Sequence, residues 1–276
     1  MKKKVSYSYF DYQIRLTKQK LYQTLDSLYH VLLVNSEKSA VIGDVSRLEV
    51  LSIKAKKNQI SIQLHTIKVD VLNEYQQLKG LMNYESDFAV PVALELLPKI
   101  SAIPDSLPVF DLLKHENEYY FSLVRIESNK MLPNFSVNYF LGSNHYENGK
   151  YYQGFQVGAA IPLFFGSYKA KTNATKLSAI SQKLYNENEM TTINYHLKEL
   201  FSEHLNYKAL LDNYDYTEQP LMNEIMKTAL KSYQLGEINF YQFVSSYETA
   251  IQIQLNYLDN VLNYNQTISE IIYFSK

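Results

Sequence analysis

Two segments near the middle of the chain alternate apolar with polar or small side chains: PNFSVNYFLG (residues 133–142) and YYQGFQVGAAIPL (residues 151–163). The polar run SNHYENGK (residues 143–150) separates them. A period of two on both sides of a polar turn predicts an antiparallel β-hairpin with one apolar face. Each arm has about 10 residues, which is the length of a tilted strand that crosses a bilayer.

Helical patterns precede the hairpin. Residues 5–33 carry apolar side chains three, four or seven positions apart, and residues 46–81 repeat that spacing. A break is predicted between them, around residues 35–44, and it contains Gly43. The first third of the chain is therefore predicted to be two helices joined by a turn.

In the rest of the chain, prolines and heptad spacing predict where the connector and the helices lie. Four prolines in residues 83–108 indicate a connector, and a short helix is predicted over residues 109–129. Residues 166–213 and the stretch after Pro220 place apolar side chains in alternating steps of three and four, which is typical of coiled-coil packing. Pro220 predicts a boundary between two antiparallel helices, each roughly 70 Å long at 1.5 Å per residue.

The helical parts also repeat at an offset of 193 residues. SAVIGDVSRLEVL (residues 39–51) aligns with SYQLGEINFYQFV (residues 232–244), which places Gly43 on Gly236. In both copies an acidic and a β-branched residue follow the glycine and precede a heptad helix. Since glycine adopts a positive φ angle without strain, both positions suit a tight turn between helices. The repeat indicates duplication of a helical hairpin.

Composition and motifs argue against several classes of function. The 276 residues carry a formal net charge of −1 and no cysteine, so neither a nucleic-acid partner nor thiol chemistry is expected. The sequence has no phosphate-binding loop, nucleophile elbow, dinucleotide fingerprint or zinc-protease motif. The histidines lack the spacing of converging metal ligands; they are His30, His65, His115, His145, His196 and His204. We therefore expect no enzyme activity, no cofactor and no metal site.

Four stretches together resemble TolC-like outer-membrane efflux proteins (the OEP family). LPNFSVNY (residues 132–139) resembles the start of their barrel hairpin, and GAAIPLFFG (residues 158–166) resembles a second strand that enters a long helix. ALKSYQLGEIN (residues 229–239) resembles the tip of their helical hairpins, and the stretch from Gln254 onward resembles their last helix. The run KAK after GAAIPLFFG is similar to the heavy-metal efflux (CusC/CzcC-like) subgroup.

This resemblance implies a mainly α-helical protomer with a β-hairpin, in which long antiparallel coiled-coil helices join two transmembrane β-strands. The implied assembly is a homotrimer in the outer membrane and periplasm of a Gram-negative-type bacterium. Its implied partners are outer-membrane lipid, a periplasmic adaptor and an inner-membrane RND-type pump. The implied function is a passive export duct for metal cations or drugs. The chain enters the family pattern within a helix, so the resemblance also implies an N-terminal truncation.

The resemblance assigns roles to specific residues. The tip turns are Gly43 and Gly236. The aperture at the tips is expected to use Asp44, Arg47, Tyr233, Glu237 and Asn239. From the period-two alternation of the strands, the lipid-facing residues are expected to be Phe135, Val137, Tyr139, Val157, Ala159 and Ile161, and the lumen-facing ones Ser136, Asn138, Gln156 and Gly158.

The chain is predicted to divide into four segments. These are the first-repeat periplasmic helices (residues 1–82), the connector with its short helix (83–131), the barrel hairpin (132–165) and the second-repeat helices (166–276). A second hypothesis stays open, in which the chain is a soluble periplasmic coiled-coil adaptor or scaffold. The two hypotheses differ in the apolar face of the hairpin, which contacts lipid in a duct and packs against its own domain in an adaptor.

Overall fold

The computed structural model describes residues 2–91, 93–102, 107–143, 149–163 and 165–274. Within those ranges the elements are, in chain order, α1 (Lys2–Val41), α2 (Arg47–Met82), α3 (Pro108–Asn129), β1 (Asn134–Ser143), β2 (Tyr151–Ala160), α4 (Phe165–Asn213), a π-helical segment (Tyr214–Glu218), α5 (Gln219–Gln234) and α6 (Phe240–Phe274). The predicted class, mainly α-helical with one antiparallel hairpin, is confirmed. None of the helices in these ranges combines the length and the apolar character needed to cross a membrane.

Two predicted helix boundaries are wrong. The break expected around residues 35–44 is shorter, because α1 continues to Val41 and the turn needs only residues 42–46. Pro220 does not separate two antiparallel helices, since it lies in the first turn of α5, which directly continues the π-helical segment. The π-helical segment before it widens the helix and accommodates the proline ring. The helical path from Phe165 therefore continues to Gln234, and the chain reverses only after that.

The chain forms two compact units. The first comprises Met1–Asp105 and His196–Lys276, and the second comprises Ser106–Tyr195. Helix α4 contributes residues to both units. The division into four functional segments stays a prediction.

The first unit contains two helical hairpins, α1 with α2 and α5 with α6, and α1 also packs on α6. One core joins all four helices and consists of Leu25, Tyr29, Leu32, Ile53, Ile60, Ala229, Phe240, Phe243 and Tyr247. A second core contains Ile14, Leu211, Leu258, Val261, Tyr264 and Ile268. Most of these residues occupy the predicted heptad positions, because helices that pack side by side bury every third or fourth residue.

Polar side chains of α1 and α6 form hydrogen bonds to the backbone of the connector that follows α2. The side chain of Asn265 is fully buried, and its Oδ1 accepts a hydrogen bond from the Leu97 N–H at 2.8 Å. Its Nδ2 donates to the Glu95 carbonyl, also at 2.8 Å. From α1, Gln13 Nε2 donates to the carbonyls of Pro91 and Ala93. These partly buried hydrogen bonds pair backbone groups of the connector with side chains of α1 and α6.

A charged cluster joins α1, α4 and α6 in the first unit. Glu270 accepts hydrogen bonds from Lys3 Nζ at 2.5 Å and from the Tyr7 hydroxyl at 2.6 Å, and His196 Nε2 lies 3.2 Å from the same carboxylate. Burial raises the pKa of Glu270, but these hydrogen bonds together outweigh it and hold the pKa at about 2. The ionised carboxylate therefore stabilises the folded unit.

Glu270→Gln is expected to lower the free energy of unfolding by about 1–2 kcal/mol at neutral pH, allowing for solvent screening. Because the folded pKa lies below the ordinary value of about 4.3, this contribution is complete above about pH 5 and is lost as pH falls toward 2. Urea denaturation from pH 7 to pH 3 measures it. Glu199→Gln, at an exposed carboxylate near the same histidine, is the control and should change little. A Glu270→Gln deficit that is independent of pH would contradict the assignment.

Candidate functional site

The strand hairpin brings most of the predicted lipid-facing residues onto one face. In the antiparallel register Phe135 lies opposite Ala159, Val137 opposite Val157, and Tyr139 opposite Phe155. The predicted lumen-facing residues pair on the other face, Ser136 with Gly158 and Asn138 with Gln156. Ile161 follows the end of β2, which is at Ala160, so it lies just outside the strand.

The apolar face of the hairpin is open. Phe135, Val137 and Val157 expose 72%, 70% and 75% of their surface, and the rings of Tyr139 and Phe155 contact each other at 5.0 Å. Within the described part of the chain, β1 and β2 pair only with each other. An isolated two-stranded hairpin is only marginally stable in water. A partner that covers this face, either lipid or protein, would stabilise the hairpin.

The opposite face is less polar near the turn than the sequence suggested. The Phe140 ring lies over Gly154, where an added Cβ would be 2.7 Å from a ring carbon. The Tyr152 ring covers Gly142 in the same way, with an added Cβ at 2.9 Å. Because glycine has no side chain, Gly154 leaves room for the Phe140 ring and Gly142 leaves room for the Tyr152 ring. The signal available in the sequence was an aromatic residue directly opposite a glycine in each pair.

The two predicted tip turns have the same geometry. Gly43 has a φ angle of 86° and Gly236 one of 71°. The residue after each glycine donates its backbone N–H to a carbonyl five residues earlier, Asp44 to Ser39 at 3.0 Å and Glu237 to Ser232 at 2.9 Å. This is the hydrogen bond by which a glycine ends a helix.

The helix that follows each turn begins with matching caps. Ser46 Oγ accepts the Glu49 N–H at 3.1 Å, and Asn239 Oδ1 accepts the Gln242 N–H at 3.0 Å. Both caps obey the offset of 193 residues, as do the two turns. The internal repeat therefore extends to individual hydrogen bonds, which supports a duplicated helical hairpin.

Gly43→Ala and Gly236→Ala should each lower the free energy of unfolding by about 1 kcal/mol, because a side chain disfavours a positive φ angle. An added Cβ would meet no atom within 4 Å at either turn, so backbone strain is the only cost. The control is Gly80→Ala within α2, which also has open space and should be neutral or stabilising. Equal effects at all three positions in urea denaturation would contradict the turn geometry.

Tyr233 joins the two helical hairpins. Its ring stacks on Phe243 at 5.1 Å, and its hydroxyl donates a 3.0 Å hydrogen bond to Glu49 Oε1 of α2. Burial and the Glu49 carboxylate both raise the pKa of Tyr233 well above its ordinary value. The phenol therefore remains a hydrogen-bond donor at any physiological pH.

The other predicted aperture residues are placed differently. Asp44, Arg47 and Glu237 are exposed at the turns, and Glu237 accepts a bond from Ser232 of its own turn. Asn239 serves as a helix cap. Of the five predicted aperture residues, all in the described part of the chain, Tyr233 is the one that bonds across to the other hairpin.

Sequence reasoning missed the partners of this contact. Ser46-x-x-Glu49 has the pattern of a capping box, which would turn Glu49 back onto its own helix; instead its carboxylate meets Tyr233. Two further side-chain pairs link α2 to α6: Ser52 with Tyr241 at 3.0 Å, and Lys56 with Glu248.

The histidines are scattered. Within the described part of the chain, no three His, Cys, Asp or Glu side chains converge on one point. His145 lies outside the described residues. His204 is fully buried against the Tyr264 ring at 5.1 Å, and burial lowers its pKa.

The solved structures that match this chain share one fold. No protein-family model matches the sequence, and no curated protein matches it. A membrane protein from Pseudomonas aeruginosa superposes with a TM-score of 0.86 over 99% of this chain and 67% of its own, at 13% identity. The Campylobacter jejuni CmeC outer membrane channel matches with a TM-score of 0.79 over 96% and 60%, at 14% identity.

The open state of the Neisseria gonorrhoeae MtrE outer membrane channel matches with a TM-score of 0.78 over 98% of this chain and 64% of its own, at 13% identity. The chain thus spans 60–67% of the length of these three structures. Structural similarity at 13–14% sequence identity establishes the fold of this chain and not its activity. The chain has the fold of the TolC-like outer-membrane efflux channels, over that share of their length.

Proposed function

We propose that this chain is part of the protomer of an outer-membrane efflux channel, acting as a passive duct and not as an enzyme. The observation that carries the proposal is the hairpin of two ten-residue strands with an open apolar face. Strands of this length suit a tilted crossing of a bilayer, and a lipid environment would cover that face. The fold shared with outer-membrane channels supports the same function.

The alternative, a soluble periplasmic adaptor or scaffold, is less favoured. An adaptor would bury the apolar face of the hairpin against its own domain. In the described second unit Val137 and Val157 are both at least 70% exposed. A contiguous apolar surface of this kind is uncommon on soluble monomers.

A homotrimer is proposed because α2 carries a second row of apolar side chains, and this row is exposed in the protomer. Its buried residues face the first unit, whereas five large apolar residues lie on the other side of the helix and are 45–65% exposed: Leu48, Leu51, Ile62, Val69 and Leu72. Their spacing follows the heptad rule, so another long helix can pack there. A second copy of this chain would supply such a helix and close a ring.

The paired turns are proposed as the closed aperture of the duct. Three copies would bring six turns together, with Asp44, Arg47 and Glu237 exposed there. The Tyr233–Glu49 bond would hold the two hairpins of each protomer together until a docked periplasmic adaptor and RND-type pump separate them. The pump would supply the energy and select the substrate, either metal cations or drugs.

Purification of the polypeptide that contains this chain tests the proposal. We expect extraction from the outer-membrane fraction only with detergent, a trimer in detergent solution, and ion-conducting pores after reconstitution in planar bilayers. A stable monomer in detergent-free buffer, without conductance, would support the adaptor hypothesis instead.

A further inference from the structure

The first unit contains a large cavity that the proposed duct does not use. Its volume is about 1010 Å³, and it lies where the start of α1, the end of α2, the connector and the end of α6 meet. Apolar and aromatic side chains form most of its wall, among them Phe10, Phe88, Leu97 and Ile272. Cavities of roughly 300–1,000 Å³ with apolar walls are typical of sites for small organic ligands.

The wall of this cavity is fixed by hydrogen bonds. The Leu97 N–H is held by Asn265 Oδ1 at 2.8 Å. The Phe88 N–H is held by the Tyr75 hydroxyl at 2.9 Å, and the Tyr75 and Phe88 rings contact each other at 5.1 Å. Collapse of the connector into the space would break these partly buried hydrogen bonds, which favours a preformed cavity.

The charges at the cavity have one sign. Lys2 and Lys3 belong to the lining, and no aspartate or glutamate does among the described residues. Lys3 is already ion-paired with Glu270 at 2.5 Å, whereas Lys2 is exposed at the start of α1. A ligand would thus find apolar walls and an ammonium group at one end.

We propose that this cavity binds a single-chain anionic amphiphile of the long-chain fatty-acid class. The acyl chain lies against Phe10, Phe88 and Ile272, and the carboxylate lies near Lys2. A cationic amphiphile is disfavoured by the exposed ammonium group of Lys2, and a strongly polar ligand is disfavoured because most of the wall is apolar. The proposal does not depend on the duct function, since the cavity lies within one protomer.

Tryptophan fluorescence tests the proposal, because the chain has no tryptophan of its own. Tyr84→Trp places one reporter in the cavity lining, and Tyr241→Trp places one outside it. Dibromostearate, whose bromines quench tryptophan at short range, is titrated below its micellar concentration. We expect saturable quenching of Tyr84→Trp only, and binding of the uncharged methyl ester that is about tenfold weaker.

Two charge reversals complete the test. Lys2→Glu should weaken dibromostearate binding about tenfold, whereas Lys4→Glu, which makes the same change at an exposed lysine outside the lining, should leave it unchanged. Calorimetric titration of the unmodified chain with stearate provides a readout that needs no tryptophan. Equal quenching of both reporters, equal loss in both lysine variants, or no heat of binding would overturn the proposal.

Discussion

Val157→Arg is expected to prevent assembly of the proposed outer-membrane trimer. Val157 lies opposite Val137 at the centre of the apolar face and is 75% exposed in the protomer. An arginine there would have to lose its hydration in lipid, which costs about 2–4 kcal/mol per protomer near the bilayer midplane. Three such costs in one trimer exceed what a marginal hairpin can absorb.

The matched control is Gln156→Arg, the same substitution one residue earlier. Gln156 pairs with Asn138 on the other face, which is proposed to meet water. We expect normal trimers for Gln156→Arg and none for Val157→Arg, measured by native electrophoresis of outer-membrane extracts and by heat-induced dissociation. Normal trimers for both variants would show that the Val157 face does not contact lipid.

Tyr233→Phe is expected to open the proposed aperture and raise single-channel conductance several-fold. The substitution removes only the hydroxyl that donates to Glu49, and it keeps the ring stacked on Phe243. A hydrogen bond to a carboxylate contributes about 1.5–3 kcal/mol in partly buried positions. Three copies of such a bond would act together on the closed state, and their loss favours the open one.

Planar-bilayer recording of the reconstituted polypeptide measures this effect. Tyr216→Phe, the same change at a tyrosine that is 84% exposed, is the control and should leave conductance unchanged. Combining Tyr233→Phe with Glu237→Ala, which removes a predicted aperture carboxylate, should raise conductance further. Unchanged conductance with intact trimers would place the constriction elsewhere.

The features that the sequence predicted best are those with local periodicity. The strand residues from Asn134 to Ala160 alternate between the two faces of the hairpin, so their pattern repeats every two residues. Ile60, Leu258 and Ile268 face neighbouring helices, and that pattern repeats every 3.5 residues. Gly43 and Gly236 were recognised because both turns carry the same signal at a fixed offset. For these residues, the local pattern and the tertiary structure agree.

The contacts that the sequence did not reveal join segments far apart in the chain. Asn265 is a polar residue in the heptad stretch after Pro220, and its partners are connector backbone groups 168 and 170 residues away. Glu49 matched a capping box, and only the packing of α5 beside α2 brings Tyr233 to its carboxylate. Pro220 looked like a helix end because its pattern does not indicate the π-helical segment before it.

Cysteine accessibility along the hairpin tests the central claim most directly, since these 276 residues contain no cysteine of their own. Single cysteines are placed at Ser136, Val137, Asn138, Gln156 and Val157 in outer membranes and exposed to a charged, water-soluble maleimide. The account predicts labelling at positions 136, 138 and 156 and protection at 137 and 157, with that protection lost in the denatured polypeptide. Equal labelling of the two sets in intact membranes would contradict a hairpin with one face in lipid and the other in water.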